Sequence, residues 1–332
     1  MSDTVFPGFA IRAGLPDDRG AILALVAASQ TEEMGSADPS MAEAVSVVWQ
    51  RSDFDPTRDA WAAVAEDDQR VLGFAFLQPV ERSDLQGFAS VHPDARGHGI
   101  GTALLASIEA RASEQMGRFA PESRVVIQQW ISGGYAPARQ LLEQSGYAVV
   151  RHTLGMIVEL TDAPAPPAWP DGVTLRIPAS ADDLRAAFDA YREAFRDHWG
   201  YAEQSYEDFV RSAIEVATFD PSLWFLAMDG DAVAGVLMGE MLPDRGWVND
   251  LAVRRPWRGR GLGEALLRHS FGEFYRRGQR TVSLGVDSQN LTGATRLYQR
   301  VGMRAERQYD ICEKVLRPGV GGESAGIVDD HE

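Results

Sequence analysis

The chain has 332 residues, 45% of them hydrophobic and 24% charged, which fits a globular protein long enough for two domains that each bury a core. Its formal net charge of −16 repels nucleic acid and anionic membrane over most of the surface, so neither is expected as a partner. The single cysteine, Cys312, excludes an internal disulfide and a multi-cysteine metal site; no metal is expected. Met1 to Phe9 has no signal-peptide pattern, and the longest apolar stretch, Ala21 to Ala28, is too short to span a bilayer, so a cytoplasmic location is expected.

In chain order, Ala10 to Arg12 followed by Asp17 and Asp18 reads as a short strand entering a capped helix. Farther on comes the turn R-G-H-G-I-G, Arg96 to Gly101, opening a helix through Met116, then a strand at Arg124 to Trp130 and a helix at Pro137 to Gln144. Thr161 to Gly172 holds Pro164, Pro166, Pro167 and Pro170, a semi-rigid spacer, so the expected domains are residues 1–160 and 173–317 with 161–172 as linker. The second domain repeats the opening, with a strand around Thr174 to Arg176 and then Asp182 and Asp183. Leu223 to Met228 and Ala232 to Met241 alternate as a hairpin turning at Asp229-Gly230. Trp247 to Val253 is a strand before a second turn, R-G-R-G-L-G, Arg258 to Gly263. Its helix runs to Arg277 with Leu267, Phe271, Phe274 and Tyr275 on one face. A strand at Thr281 to Val286, a helix from about Leu291 to Val301 and final strands through Met303 to Leu316 follow; the glycine- and acid-rich tail, residues 318–332, is expected to be disordered. Each half therefore predicts an α+β domain with a mixed sheet flanked by helices.

The two turns stand a constant 162 positions apart, and the register continues into Ala103/Ala265, Leu104/Leu266 and Leu105/Leu267, so one supersecondary unit occurs twice. Glycines let several backbone N–H groups approach an anion, and the helix that follows adds its own unpaired N–H groups and dipole. Arg96 and Arg258 add positive charge at the edge, and Arg254, Arg255, Arg258, Arg260 and Arg268 cluster around the second turn. The spacing fits neither the dinucleotide fingerprint nor the P-loop, which disfavours an oxidoreductase and a nucleotide triphosphatase.

The remaining pattern, R-x-x-G-x-G between strand and helix, resembles the acetyl-coenzyme A motif of the GNAT N-acetyltransferase superfamily, and it occurs twice, in keeping with tandem two-domain members of that family. The resemblance implies acetyl-CoA as acyl donor. It implies pyrophosphate binding by Arg258, Gly259, Arg260, Gly261, Leu262 and Gly263, and by Arg96, Gly97, Gly99, Ile100 and Gly101 in the first copy. It further implies that the backbone at Leu251, Ala252 and Val253, and at Val91, pairs with the pantetheine arm, with Asn290 also on the cofactor side.

The implied reaction is acyl transfer to an amine, which needs loss of the amine proton and an acid for the departing thiolate. The stretch Asn290 to Met303 resembles the GNAT helix whose tyrosine lies near the coenzyme A sulfur, which makes Tyr298 the acid. Aligning Ala138 with Ala294 and Gly146 with Gly302 puts Leu142 opposite Tyr298, so the second domain is expected to do the chemistry and the first to be catalytically degenerate. Several relatives carry a glutamate base where Trp247 or Asn249 stands here. Asp250 is the first candidate instead, although in a regular strand it points to the opposite face; Glu240, Asp287, His198 and a water chain are the others. The aromatic loop Phe195 to Tyr201, with Glu203, Glu207 and Asp208 after it, suits a cationic amine. The acceptor is read as a primary amine of a small molecule or peptide. One alternative within the enzyme class is an amino-sugar cysteine conjugate; one from another class is an acetyl-CoA-binding regulatory module without turnover.

Overall fold

The computed structural model describes residues 8–37, 41, 45–46, 48–49, 51, 54–79, 84–196, 201, 203–216, 218–289 and 293–319. The chain divides into two compact units, Met1–His152 together with Gln308–Glu332, and Thr153–Arg307.

The first unit holds strands β1 (Phe9–Ala13), β2 (Ala60–Ala65), β3 (Val71–Pro79), β4 (Asp84–Val91) and β5 (Val125–Ser132) in that spatial order. β4 and β5 are parallel and the other pairs antiparallel. The sheet continues with residues from Tyr309 onward of the chain's last strand, Arg304–Arg317, which pair antiparallel to β5. On one face lies the helix α1 (Arg19–Met34), whose Ile22, Leu25 and Val26 pack with Phe74 and Phe76. On the other lies α2 (Ile100–Gln115), whose Ile100, Leu104, Leu105 and Ile108 fall at helical spacing and meet Leu72, Leu77, Leu85 and Ile127. A shorter helix, α3 (Ala136–Gln144), follows β5. Cys312 is buried in this core as a small apolar residue.

The second unit repeats the plan. Its sheet begins with the Thr153–Glu159 part of β6 (Ala148–Glu159) and continues in the spatial order β11 (Thr281–Asp287), β10 (Gly246–Val253), β9 (Ala232–Met241), β8 (Trp224–Asp229) and β7 (Val173–Arg176). Only β10 and β11 are parallel. The hairpin between β8 and β9 turns at Gly230, whose φ of +59° a side chain would resist. Helix α4 (Ala181–Phe195) starts where the Ser180 hydroxyl accepts from the Asp183 N–H, a cap worth about 1 kcal/mol. It covers one face with Ala187, Phe188, Ala190 and Ala194. Helix α5 (Leu262–Arg276) covers the other with Leu266, Leu267, Phe271 and Phe274, each large side chain stabilising the unit by roughly 1.5–3 kcal/mol. It stops at Gly278, φ +93°, with Gln279 N–H donating to the Phe274 carbonyl. Helix α6 (Ala294–Arg300) follows β11.

Both cores and the mixed sheets agree with the two α+β domains read from the sequence. The division does not fall where the proline-rich stretch suggested. Each unit needs a strand beside its parallel pair, and the first takes it from the chain's C-terminus while the second takes residues lying before the prolines. Proline content marks a segment that cannot pair; it does not say which sheet the flanking strands join. Of the tail, residues 320–332 lie outside the described residues. Among the described residues, no helix is long and apolar enough to cross a membrane.

Candidate active site

The strand before the second glycine turn is irregular at one residue. Val248 stands opposite Gly239 and Asp250 opposite Met238, so Asn249 is a bulge without a partner. Two effects follow. β10 pairs with β11 only from Gly246 to Val248 and then parts from it, opening a fork. Alternation also resets: Val248, Leu251 and Val253 pack on the α5 side, whereas Ala252 packs on the α4 side. Asp250 thus falls on the face of Ala252, which before the bulge is the face of Trp247. The regular-strand expectation, with Asp250 opposed to Trp247, is corrected by this extra residue.

The fork opens into a cavity of about 700 Å³, walled by Val248, Asn249 and Leu251 to Val253, by Leu284 to Asp287, by Trp257 to Gly259 and Gly261 to Glu264, and by Gly293, Ala294 and Arg296 to Tyr298 of α6. Gly259 and Gly261 have φ of +75° and +82°, so the turn depends on glycine, and both line the cavity just ahead of the N-terminus of α5. Gly263 is different: it is helical, and a Cβ there would lie 3.0 Å from Leu297 Cδ2, so its role is to let α5 approach α6.

Arg258 does not offer its charge at the edge as the sequence suggested. Its Nε donates to the Val253 carbonyl and its Nη2 to the Ala194 carbonyl, both at 3.0 Å, tying the end of β10 to the end of α4. Arg254 donates to Glu193 at 2.7 Å, Arg260 lies 3.9 Å from Asp229, and Arg268 donates to Glu264 at 2.9 Å. Trp257, which the sequence reading passed over, lines the cavity with its Nε1 donating to Asp229 at 2.8 Å.

Tyr298 is buried at the cavity wall, and its hydroxyl makes no hydrogen bond with the described residues. Burial, and second the charge of Asp250, push its phenol up to about 12, so it stays protonated at neutral pH. Loss of hydration pushes the Asp250 carboxyl up to about 6. Asp250 and Tyr298 are therefore electrostatic neighbours. Of the other base candidates, Asp287 lines the cavity and accepts from the Gln289 N–H at 2.9 Å, and Glu240 stands opposite Trp247 across the sheet. His198 and Asn290 lie outside the described residues, as do residues 197–200 of the acceptor loop. Phe195 reaches the cavity wall; Glu203 lies 3.9 Å from Arg192, and Asp208 is held by Ser205 and Arg211.

The first turn repeats the backbone and not the chemistry. Gly97 and Gly99 have φ of +79° and +84°, Ile100 begins α2, and Gly101 would bring a Cβ to 3.4 Å from Leu141, the counterpart of Leu297. Arg96 donates to the Val91 carbonyl at 3.3 Å, as Arg258 does to Val253. Its other nitrogen binds Glu33 at 2.7 Å and Ser29 at 2.8 Å, and its guanidinium lies over Tyr135. β4 pairs with β3 without a bulge from Leu85 to Val91. Phe88, at the place of Asp250, stacks on Phe76 at 5.3 Å. Leu142 is the counterpart of Tyr298: Tyr147 N–H donates to the Leu142 carbonyl and Met303 N–H to the Tyr298 carbonyl, both at 3.0 Å, around Gly146 and Gly302 with φ of +86° and +92°.

Comparison with known proteins gives this duplicated architecture its kin. The acetyltransferase (GNAT) family matches residues 184–303, and an acetyltransferase (GNAT) domain matches residues 58–149. A mycothiol acetyltransferase of Streptomyces scabiei is 32% identical over 246 residues, covering 72% of this chain and 74% of that protein. The chain belongs to the GNAT acetyltransferase family. A second relative, the mycothiol acetyltransferase of Thermomonospora curvata, is 33% identical over 71% of this chain and 76% of its own length. Among solved structures, the GCN5-related N-acetyltransferase from Sphaerobacter thermophilus superposes with a TM-score of 0.82 at 36% identity, covering 94% of this chain and 97% of that one. A tandem GNAT protein from the clavulanic acid biosynthesis pathway shares the fold at 16% identity, with a TM-score of 0.67. This GNAT protein is thus a tandem N-acetyltransferase that uses acetyl-CoA as acyl donor and an amine as acceptor.

Proposed function

We propose that the second unit carries the acetyl transfer, to a primary amine of a small molecule or peptide, by direct attack on the thioester. The observation that supports this most is the single cavity whose walls include the second glycine turn, the Leu251 to Val253 backbone and Tyr298. Its polar features suit acetyl-CoA: turn N–H groups for the pyrophosphate, strand groups freed by the Asn249 bulge for the pantetheine amides, and a phenol with no hydrogen-bond partner among the described residues. Acetyl-CoA supplies the thioester. Asp250, with its raised pKa, accepts the proton of the incoming ammonium, directly or through water, and Tyr298 donates a proton to the leaving sulfur. Arg258 holds β10 and α4 in place around the fork; it acts on the site through backbone.

The first unit has Leu142 for the acid, Phe88 for the base and a regular β4, which support a structural and non-catalytic role. The domains are therefore proposed as a degenerate unit and a working unit whose strands interleave along the chain.

Tyr298→Phe should lower kcat by about 10²–10⁴-fold, the contribution of a positioned acid, while leaving the acetyl-CoA dissociation constant nearly unchanged. Stopped assays of thiol release together with calorimetric binding check both quantities; a kcat that survives within threefold removes the tyrosine from the mechanism.

A second reading narrows the acceptor to an amino-sugar cysteine conjugate, favoured by the relatives at 32% and 33% identity that are mycothiol acetyltransferases. A panel of that conjugate, aminoglycosides, polyamines, amino-acid derivatives and peptide N-termini, ranked by kcat/KM, decides between the broad and the narrow acceptor. Acetyl-CoA binding without thiol release on any acceptor would instead identify a regulatory module.

A further inference from the structure

Coenzyme A carries a pyrophosphate and a separate 3′-phosphate, and a single glycine turn can cradle only the first. Of the arginines nearest the second turn, Arg254 is committed to Glu193, Arg258 to backbone carbonyls and Arg268 to Glu264, while Arg260 lies 3.9 Å from Asp229. Across the cavity, α6 presents Arg296 and Arg300, four residues apart on one helix face and both at the cavity wall. Arg296 is exposed and makes no ion pair or hydrogen bond with the described residues. Its guanidinium lies over Gly293, where a Cβ would come within 3.1 Å of Nη2, so the absence of a side chain there lets the cation sit against the backbone at the cavity mouth. Arg300 is held more loosely than Arg254, Arg258 and Arg268, its Nε 3.7 Å from Glu264.

Glu264 sharpens the point. It stands in the first turn of α5, at the cavity wall, where a carboxylate would repel a bound phosphate. Arg268 and Arg300 neutralise it from two sides, and together with Arg296 they leave the wall with a net positive charge. The duplicated unit provides an internal comparison. At the positions of Glu264, Arg268, Arg296 and Arg300 the first copy has Thr102, Ala106, Gln140 and Gln144, all uncharged. All four charges are thus absent together from the copy that lacks the phenol.

We infer that Arg296, with Arg300 beside it and Glu264 setting the position of Arg300, binds the 3′-phosphate of coenzyme A and makes the second unit select coenzyme A over its dephospho form. This rests on the reading of the cavity as the acetyl-CoA site and extends it to which donor is accepted. A guanidinium meeting a phosphate makes charge-assisted hydrogen bonds, the stronger class. At an exposed cavity mouth the wild-type chain should bind coenzyme A about tenfold more tightly than 3′-dephospho-coenzyme A, a ratio that shrinks as salt rises.

The test is isothermal titration of the full chain with each of the two ligands, for wild type, Arg296→Gln, Arg300→Gln and the remote control Arg276→Ala, which removes one charge from an exposed pair with Glu273. The expected result is a ratio falling toward one in Arg296→Gln, and partway in Arg300→Gln, through weaker coenzyme A binding with the dephospho ligand bound as in wild type; Arg276→Ala keeps the wild-type ratio. Retained dephospho-ligand binding also reports that the variant site is folded. The inference is overturned if wild type does not discriminate, if Arg296→Gln keeps the ratio, if it loses both ligands alike, or if Arg276→Ala shifts the ratio equally. Each of these leaves the acetyl-CoA reading standing, provided wild type binds coenzyme A with turnover that depends on Tyr298; failure of wild type to bind either ligand overturns both.

Discussion

Asp250→Asn separates the stability of the second unit from its activity. The folded unit raises the Asp250 carboxyl from an ordinary 3.8 to about 6 because its charge loses hydration beside the fork. A carboxyl with a raised folded pKa favours the folded state only while protonated. That contribution is complete below about pH 4 and is lost as pH rises through 6. Asparagine keeps the shape without the charge, so it should remove the cost. A shift of roughly two units at about 1.36 kcal/mol each gives a ceiling near 3 kcal/mol at pH 7 to 8, about half of that at pH 5, and almost nothing at pH 4. Asp250 is only half-buried, and the hydration it retains keeps the gain below this ceiling. For a unit of this size the ceiling corresponds to roughly 6–10 °C in Tm at neutral pH. Differential scanning calorimetry of both proteins at pH 4.5, 6 and 8 measures the gain, and thiol release at each pH measures kcat. The variant should be more stable and slower, and wild-type kcat should rise through about pH 6 as the base deprotonates. A stability gain that is absent, or equal at pH 4.5 and 8, would refute the reasoning about hydration; unchanged kcat would remove Asp250 as the base.

Two further outcomes follow from backbone geometry. Gly261→Ala puts a Cβ into open space at φ +82°, so its cost is conformational, about 1–2 kcal/mol, and acetyl-CoA KM should rise as the turn N–H groups swing away; unchanged KM with an intact Tm would count against the phosphate role of the turn. Cutting the chain after residue 307 removes the strand that pairs with β5, and starting it at residue 161 removes the strand that pairs with β11. Either truncation should lose a cooperative melting transition in the unit that is left with an unpaired interior edge; a chain of 161–332 with wild-type kcat and Tm would contradict the interleaved division.

Much of the site was legible in the sequence because it is built from local pieces. The paired turns, the tyrosine helix and the mismatch of Leu142 against Tyr298 all lie within short segments whose spacing carries the geometry. Local sequence shows the charge of Arg96 and Arg258 but not their partners Glu33 and Ala194, which lie more than sixty residues away, beyond any local pattern. Asp250 was judged by the two-residue period of a regular strand, which one inserted residue reverses. The domain boundary followed the prolines, since strand exchange leaves no compositional mark.

The sequence by itself determined that two GNAT folds occur here and that only one kept its phenol, because backbone freedom at glycine and residue identity are properties of short stretches. Only the tertiary structure decided which face Asp250 takes, which arginines are already paired, and which strand completes each sheet. Those depend on pairing between segments far apart in the chain, where hydrogen-bond register and burial, rather than local propensity, set the outcome.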